Sequence, residues 1–294
     1  MAAPTGLGTN FAQDYNVYNY PDICVARLTR LKSLGINKIR VNIPTYLTES
    51  QNASFRNQLR LVCTTALSMG FYVIWGYNAA PLTAANQAAF KTELRKLGTW
   101  AQSVGLSEIC VGNEEDLTST LSASALRGVL QDVCQTIKQT DGFSGVVSTA
   151  ITTNVYAAWA AEVATWSPYM KLDLHIYFAV GATGGASFEN YATTVPTALG
   201  AGNVYCGEFG INGAAGNGRM SSAFRTDTEW IKELVRRARL LEDNGWQSYY
   251  YFADAVQGDA NEELRWSAYR TTDGQYTPLY EALARKRPKY ISTS

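Results

Sequence analysis

Two short apolar runs in this chain end in carboxylic acids that a buried strand has no structural use for. Ile109-Cys110-Val111 leads through Gly112 and Asn113 into Glu114-Glu115-Asp116, and Val204-Tyr205-Cys206-Gly207 delivers Glu208 ahead of Phe209 and Gly210. Short apolar runs without alternation read as strands buried on both faces. Two strand-end glutamates on one fold invite a two-carboxylate mechanism, in which one acid protonates a leaving oxygen and the other carboxylate attacks carbon or activates water. Cleavage of a glycosidic bond uses this pair, with the carboxyl groups about 5–5.5 Å apart when configuration is retained and roughly 6.5–9.5 Å apart when it is inverted. The sequence leaves both spacings open.

The elements that must position these acids recur along the chain. Gly35, Gly70 and Gly105 each end a helical pattern and precede an apolar run, a spacing of one βα unit. Strands are expected at Gly6 to Phe11, Ile39 to Pro44, Phe71 to Trp75, Ile109 to Val111, Gly145 to Ile151, Leu172 to Tyr177, Val204 to Phe209 and Ser248 to Ala253. Between them lie helical patterns: one opened by Pro21 and Asp22, one carried by Phe90, Leu94, Leu97 and Ala101, and others at Leu121 to Gln139, Val155 to Trp166 and Phe188 to Leu199. Thr226-x-x-Glu229 is a capping box for a helix running to Gly245, and Pro278 to Lys286 closes the ring. Strict alternation implies a parallel sheet. Eight units in 294 residues favour a closed (β/α)8 TIM barrel of class α/β, one domain over residues 1–294. Glu114 and Glu208 then fall at the C-terminal ends of the fourth and seventh strands, where such barrels carry their chemistry.

Composition narrows the classes. Charged residues are 17% of the chain and the formal net charge is zero, so there is no basic footprint for nucleic acid. No apolar segment is long enough to span a membrane, and a monomer is expected. A single histidine cannot build a multi-histidine zinc or iron site, and no dinucleotide fingerprint follows the first strand, so neither metal nor cofactor is expected. Cys24, Cys63, Cys110, Cys134 and Cys206 fall on apolar faces and read as small buried hydrophobes. Met1-Ala2-Ala3 lacks the regions of a signal peptide, while Asn52-Ala53-Ser54 is a glycosylation sequon; secretion is the expected localisation. Eighteen Tyr and seven Trp suit flat neutral ligands that stack on rings, although core filling accounts for most of them.

Asn113-Glu114 after the fourth strand, Gly207-Glu208-Phe209-Gly210 after the seventh, His175-x-Tyr177 on the sixth and Arg40 within Ile39-Arg40-Val41 on the second together resemble the retaining (β/α)8 glycosidases of clan A, most closely the cellulase family, glycoside hydrolase family 5. The resemblance covers nearly the whole chain. It implies that Glu114 is the acid/base and Glu208 the nucleophile, that Asn113 contacts the sugar 2-hydroxyl, and that His175 and Tyr177 orient the nucleophile and line the cleft. Arg40 is the cation expected to hold Glu208 ionised. Glu115 and Asp116, as neighbouring like charges, are expected to favour the protonated form of Glu114. Two features depart from the pattern. Tyr249-Tyr250-Tyr251-Phe252-Ala253 stands where a strand-eight tryptophan is usual, so Tyr251, Trp246 or Trp266 is the expected substitute; Trp75-Gly76-Tyr77-Asn78 replaces a histidine. Trp75, Tyr77, Tyr15 and Tyr18 are further stacking candidates. The glycines at 210, 213, 216 and 218, with Arg219, read as a loop beside the cleft, and Leu264 to Ser267 with Asp273-Gly274 resembles the tail of these barrels.

The expected activity is therefore a cofactor-free, retaining glycoside hydrolase acting on a β-linked polysaccharide or oligosaccharide, with β-1,4-glucan, mannan or xylan favoured and endo action preferred. One rival is a non-catalytic carbohydrate-binding barrel that keeps the fold. Another is a barrel isomerase or aldolase, which would need a metal cluster or a Schiff-base lysine at a strand exit; Lys171 sits at the entrance of its strand.

Overall fold

The computed structural model describes residues 5–11, 15–43, 53–77, 81–211, 226–255, 266–270 and 274–285. Eight parallel strands pair in chain order and close on themselves: β1 (Gly6–Phe11), β2 (Lys38–Ile43), β3 (Tyr72–Tyr77), β4 (Glu108–Val111), β5 (Val146–Thr152), β6 (Lys171–Phe178), β7 (Val204–Ile211) and β8 (Ser248–Tyr251). The last seam joins Gly6 to Ser248 and Thr9 to Tyr251. This is the (β/α)8 barrel that the alternation of patterns implies.

Helices cover the outside for the reasons legible in their sequences. Helix Pro21–Ser33 starts on a proline whose missing N–H costs nothing there and buries Cys24, Leu28 and Leu31. Helix Gln87–Val104 buries Phe90, Leu94, Leu97 and Ala101, and Gly105 ends it at φ +67°, a conformation that a side chain would resist. The Thr226 hydroxyl accepts the Glu229 N–H at the start of helix Asp227–Asp243, the half of the capping box that holds the first turn. Two expectations are corrected. The helix expected over Leu121 to Gln139 runs over Ala123–Gln135 and widens into a π-turn over Thr136–Thr140. The Ala-rich stretch expected as one helix from Val155 to Trp166 is two short ones, Tyr156–Ala160 and Val163–Trp166. A two-stranded hairpin, Tyr269–Arg270 with Gln275–Tyr276, precedes the last helix, Leu279–Arg285. Among the described residues no helix is long and apolar enough to cross a membrane.

Two cores result. A large apolar shell lies between strands and helices and takes outward-facing residues such as Ile39, Val41, Ile109, Val111, Leu172 and Leu174. Inside the barrel a smaller cluster, Tyr72, Ile74, Cys110, Ala150, Tyr205 and Tyr250, fills the lower half. Glu108 sits among these rings and accepts hydrogen bonds from Tyr72 Oη (2.7 Å), Tyr205 Oη (2.6 Å) and Ser148 Oγ (2.6 Å). Its carboxylate oxygens are thus paired although fully buried, as a buried polar group requires. The five cysteines are free and buried, the role expected of them.

Candidate active site

Glu208 faces the barrel interior because β7 carries a bulge. Leu174 pairs with Cys206, but the next residue, His175, pairs with Glu208, so Gly207 is an extra residue in the ladder. Strict alternation would have put Glu208 on the outward face with Val204 and Cys206; the bulge turns it inward. A glycine is needed there, since a Cβ at position 207 would lie 1.6 Å from Asp173 Oδ1. Glu114 is turned into the same space by a different device. It has left-handed backbone, φ +54° and ψ +40°, at the entry of the short helix Glu115–Thr118. A non-glycine residue held at positive φ is a cost that functional sites tend to carry.

Arg40 on β2 organises the floor. Its Nη1 donates to Glu208 Oε1 at 2.7 Å and to Asn10 Oδ1 at 3.1 Å, its Nη2 donates to Asn113 Oδ1 at 3.1 Å, and its Nε lies 3.0 Å from Asp173 Oδ2. The guanidinium is fully buried, and the carboxylates of Asp173 and Glu208 offset the desolvation of its charge. Tyr177 Oη donates to the second oxygen of Glu208 at 2.8 Å. Both oxygens of Glu208 are therefore held by donors from other strands.

His175 stands between the two glutamates. Its Nδ1 is 2.9 Å from Glu114 Oε1 and 3.6 Å from Glu208 Oε2, and its Nε2 is 3.5 Å from Asp173 Oδ1. Burial alone would favour the neutral ring, but Glu208, Asp173 and Glu114 surround it and push the imidazole up from 6.5 to about 10. At neutral pH it carries a proton. Glu114 feels the consequence: burial raises its carboxyl, but the hydrogen bond and charge of His175, with Arg40 behind, outweigh that and hold it below the ordinary carboxylate value. This corrects the expectation that Glu115 and Asp116 favour a protonated Glu114. The Glu115 side chain is buried away from the cleft, and Asp116 accepts hydrogen bonds from Thr152 Oγ1 and from the Thr152 N–H at 3.1 Å.

Donor atoms of Glu114, His175 and Glu208 all lie within 4.8 Å of one another. Two cations, the Arg40 guanidinium and the His175 imidazolium, already sit against these carboxylates. Above it opens a cleft of about 470 Å³ lined by Glu114, Leu117, Thr152, Thr153, Asn154, His175, Tyr177, Phe178, Glu208, Phe252 and Trp266. Glu114 is about a quarter exposed there (27%) and Glu208 less so (9%).

The structure thus brings Arg40, Asn113, Glu114, His175, Tyr177 and Glu208 together. Three expected ligand contacts are not at the cleft. Trp75 is buried on the outer face of β3, edge-on to Trp100 with ring centroids 4.9 Å apart. Tyr251 also points outward from β8, packing on Phe209, Trp230 and Tyr280 and donating to the Trp266 carbonyl at 2.7 Å. Trp246 is buried and donates its indole N–H to Ala192 O at 2.8 Å. A residue in the strand-eight run faces the barrel or the helices by parity, which composition does not reveal. Trp266, the third of the expected substitutes, does line the cleft and is joined there by Phe252, each edge-on to Tyr177 at centroid distances of 5.7 and 6.4 Å. Tyr18 packs against the main core. The side chains of Tyr15 and Tyr77, the sequon asparagine, Arg219 with the glycines at 213, 216 and 218, and Leu264, Arg265 and Asp273 lie outside the described residues. Reading the sequence missed Asn10, Asp173 and Phe252. An amide inside the apolar run Gly6 to Phe11 and an aspartate inside Leu172-Asp173-Leu174 were the available signals.

No protein-family model and no curated protein sequence matches the chain. Solved structures do resemble it. An exo-β-1,4-mannosidase from Opitutaceae bacterium strain TAV5 superposes with a TM-score of 0.66 at 13% identity, covering 96% of this chain, which spans only 58% of the mannosidase's length. A GH5_18 protein from Bifidobacterium longum subsp. longum, bound to Manβ1-4GlcNAc, superposes with a TM-score of 0.73 at 13% identity over 98% of this chain and 79% of that one. A triple mutant of the endo-β-1,4-glucanase of Xanthomonas axonopodis pv. citri gives 0.65 at 13% identity over 96% and 98%. These likenesses are of fold: the chain shares the closed barrel of clan A glycoside hydrolases.

Proposed function

We propose that the chain is a retaining glycoside hydrolase that cleaves a β-linked polysaccharide or oligosaccharide by double displacement, with Glu208 as nucleophile and Glu114 as acid/base. The observation that carries this reading is the facing pair itself: carboxylate oxygens of Glu114 and Glu208 within 4.8 Å at the floor of an open cleft. That closeness suits the shorter, retaining spacing of about 5–5.5 Å between carboxyl groups better than the roughly 6.5–9.5 Å of an inverting enzyme. The names of the structural neighbours, a mannosidase and an endoglucanase, support a glycan as substrate.

In this reading Glu208, held in place by hydrogen bonds from Arg40 and Tyr177, attacks the anomeric carbon as the bond to the leaving oxygen breaks. That oxygen takes a proton from the Glu114–His175 pair, which holds one proton between two hydrogen-bonded groups. The glycosyl-enzyme has no charge left on Glu208. Glu114 then removes a proton from water, which attacks the same carbon from the opposite side and releases Glu208. Asn113 uses its carbonyl oxygen to accept from Arg40, leaving its amide N–H groups to meet a sugar hydroxyl. Phe252 and Trp266 supply the apolar wall against which a pyranose face rests. β-1,4-Glucan, mannan or xylan is the substrate class, attacked within the chain by a secreted monomer.

The test is hydrolysis of a glucan, mannan, xylan and galactan panel by wild type, Glu208→Gln and Glu114→Gln, with the anomeric form of the first product read by NMR. Release of a β-anomer by wild type, lost in Glu208→Gln, is the expected result. An α-anomer would overturn the retaining step. Tight binding of an oligosaccharide with no product over long incubation would turn the reading to a carbohydrate-binding barrel.

A further inference from the structure

The described residues hold a third carboxylate at the site, below the two that meet the cleft. Asp173 on β6 is fully buried, with no exposed surface and no route to a substrate. Its surroundings are built to receive an anion. Oδ2 lies 3.0 Å from Arg40 Nε and accepts from the Cys110 thiol at 3.4 Å, and Oδ1 faces His175 Nε2 at 3.5 Å. The β7 bulge leaves Gly207 opposite, where any Cβ would collide with the carboxylate. Arg40 and His175 are also the two groups that touch Glu208 and Glu114 from below.

We propose that Asp173 is a positioning residue for the reaction: through Arg40 it aims the guanidinium at Glu208, and through His175 Nε2 it sets the ring so that Nδ1 and its proton face Glu114. The proposal rests on the glycosidase reading for its catalytic part, while the effect on His175 stands apart from any activity. The geometry explains the role. Arg40 and His175 are the two cations against Glu208 and Glu114, and Asp173 lies beneath both, 3.0 Å from Arg40 Nε and 3.5 Å from His175 Nε2. Among the described residues the other titratable groups around this space are Glu108 and Cys110 from β4, Tyr177 from β6, Tyr205 and Cys206 from β7 and Tyr250 from β8, and burial raises each of them toward its neutral form. Asp173 is the contrast. Burial would raise it too, yet Arg40 and His175 hold it down to about 2.

The chain contains one histidine, so its imidazole signals in NMR need no assignment by mutation. Histidine-labelled wild type, Asp173→Asn and Gly207→Ala are compared in a pH titration and in kcat/KM against pH on whichever substrate the panel identifies. Asp173→Asn is isosteric and removes the charge; Gly207→Ala keeps the charge and displaces the carboxylate. Both should move the His175 titration to lower pH by a unit or more, and both should move the basic limb of the pH profile in the same direction. kcat should fall at least tenfold with KM within about threefold, because Asp173 never meets the sugar. In an Asp173→Ser background the added methyl of Gly207→Ala should cost little, since the atom it strikes is gone. A His175 titration that stays within about 0.3 unit of wild type in both variants overturns the proposal. A shifted titration with an unmoved basic limb leaves the glycosidase reading standing and also overturns the catalytic part of the proposal. A shifted titration in a protein that cleaves nothing in the panel supports the placement of His175 by Asp173 and counts against the glycosidase reading alone.

Discussion

Arg40→Leu is the change whose consequence the structure states most fully. It removes a fully buried guanidinium that contacts Glu208 at 2.7 Å, Asp173 at 3.0 Å and Asn113 at 3.1 Å. Leucine fills part of the volume, but the two carboxylates lose the cation that makes their burial tolerable. Breaking a buried ion pair by removing one partner costs about 3–5 kcal/mol, because an uncompensated charge is left behind. With an unfolding entropy of about 2.1 cal/mol/K per residue, a chain of this length loses roughly 5–8 °C in Tm for that loss. Urea and thermal unfolding at pH 7 measure it. Removing the stranded charge in the same background, Arg40→Leu with Asp173→Asn, should recover a large part of the loss, so the two changes are strongly non-additive. Arg40→Lys should keep most of the stability but not the fork that reaches Glu208 and Asn113 together, and its kcat should fall well below wild type. Unfolding of Arg40→Leu within about 1 kcal/mol of wild type, with an effect that adds independently to that of Asp173→Asn, would mean that no such pairing energy exists.

Stability should also depend on pH through His175 and Asp173. His175 is raised from 6.5 to about 10 by the fold, so the stability it adds is complete below 6.5 and is lost as the pH climbs toward about 10; the urea midpoint should fall over that window, and His175→Gln should flatten the fall. Asp173 is lowered from 3.8 to about 2, so its contribution is present above 3.8 and disappears as the pH drops through about 2, visible as a steep acid limb that Asp173→Asn lacks. Phe252→Ala and Trp266→Ala should each weaken substrate binding about tenfold to a hundredfold with the fold intact, the value of losing one aromatic burial of about 1.5–3 kcal/mol; an unchanged KM in both would remove these rings from the cleft's function. Trp75→Ala should do the reverse, costing about 3–5 kcal/mol of stability while leaving the KM of the remaining folded enzyme unaltered. Gly8→Ala places a methyl 2.4 Å from the Tyr250 ring at the bottom of the barrel and should destabilise by about 1–3 kcal/mol in chemical denaturation without touching activity.

Local pattern was enough for the barrel and for part of the site. The helix ends at Gly35, Gly70 and Gly105, the Pro21 start and the Thr226 cap are decided within a few residues of backbone, and the structure keeps them where the sequence places them. Eight apolar runs spaced by helices admit few topologies, so the strand on which Arg40, Asn113, Glu114, His175, Tyr177 and Glu208 each lie followed from chain order alone. The tertiary structure decided which way side chains face and what charges meet. Glu208 points inward only because Gly207 forms a bulge against Asp173, a contact between two strands that no single run encodes. Trp75, Tyr251 and Trp246 are aromatic residues near strands like Phe252 and Trp266, yet parity and packing put the first three among the helices and the last two at the cleft. The ionisation of Glu114 is decided in the same way. Its sequence neighbours Glu115 and Asp116 turn away, while His175, 61 residues later, lies 2.9 Å from it. Electrostatics acts through distance in space, and that distance is set only when the barrel closes.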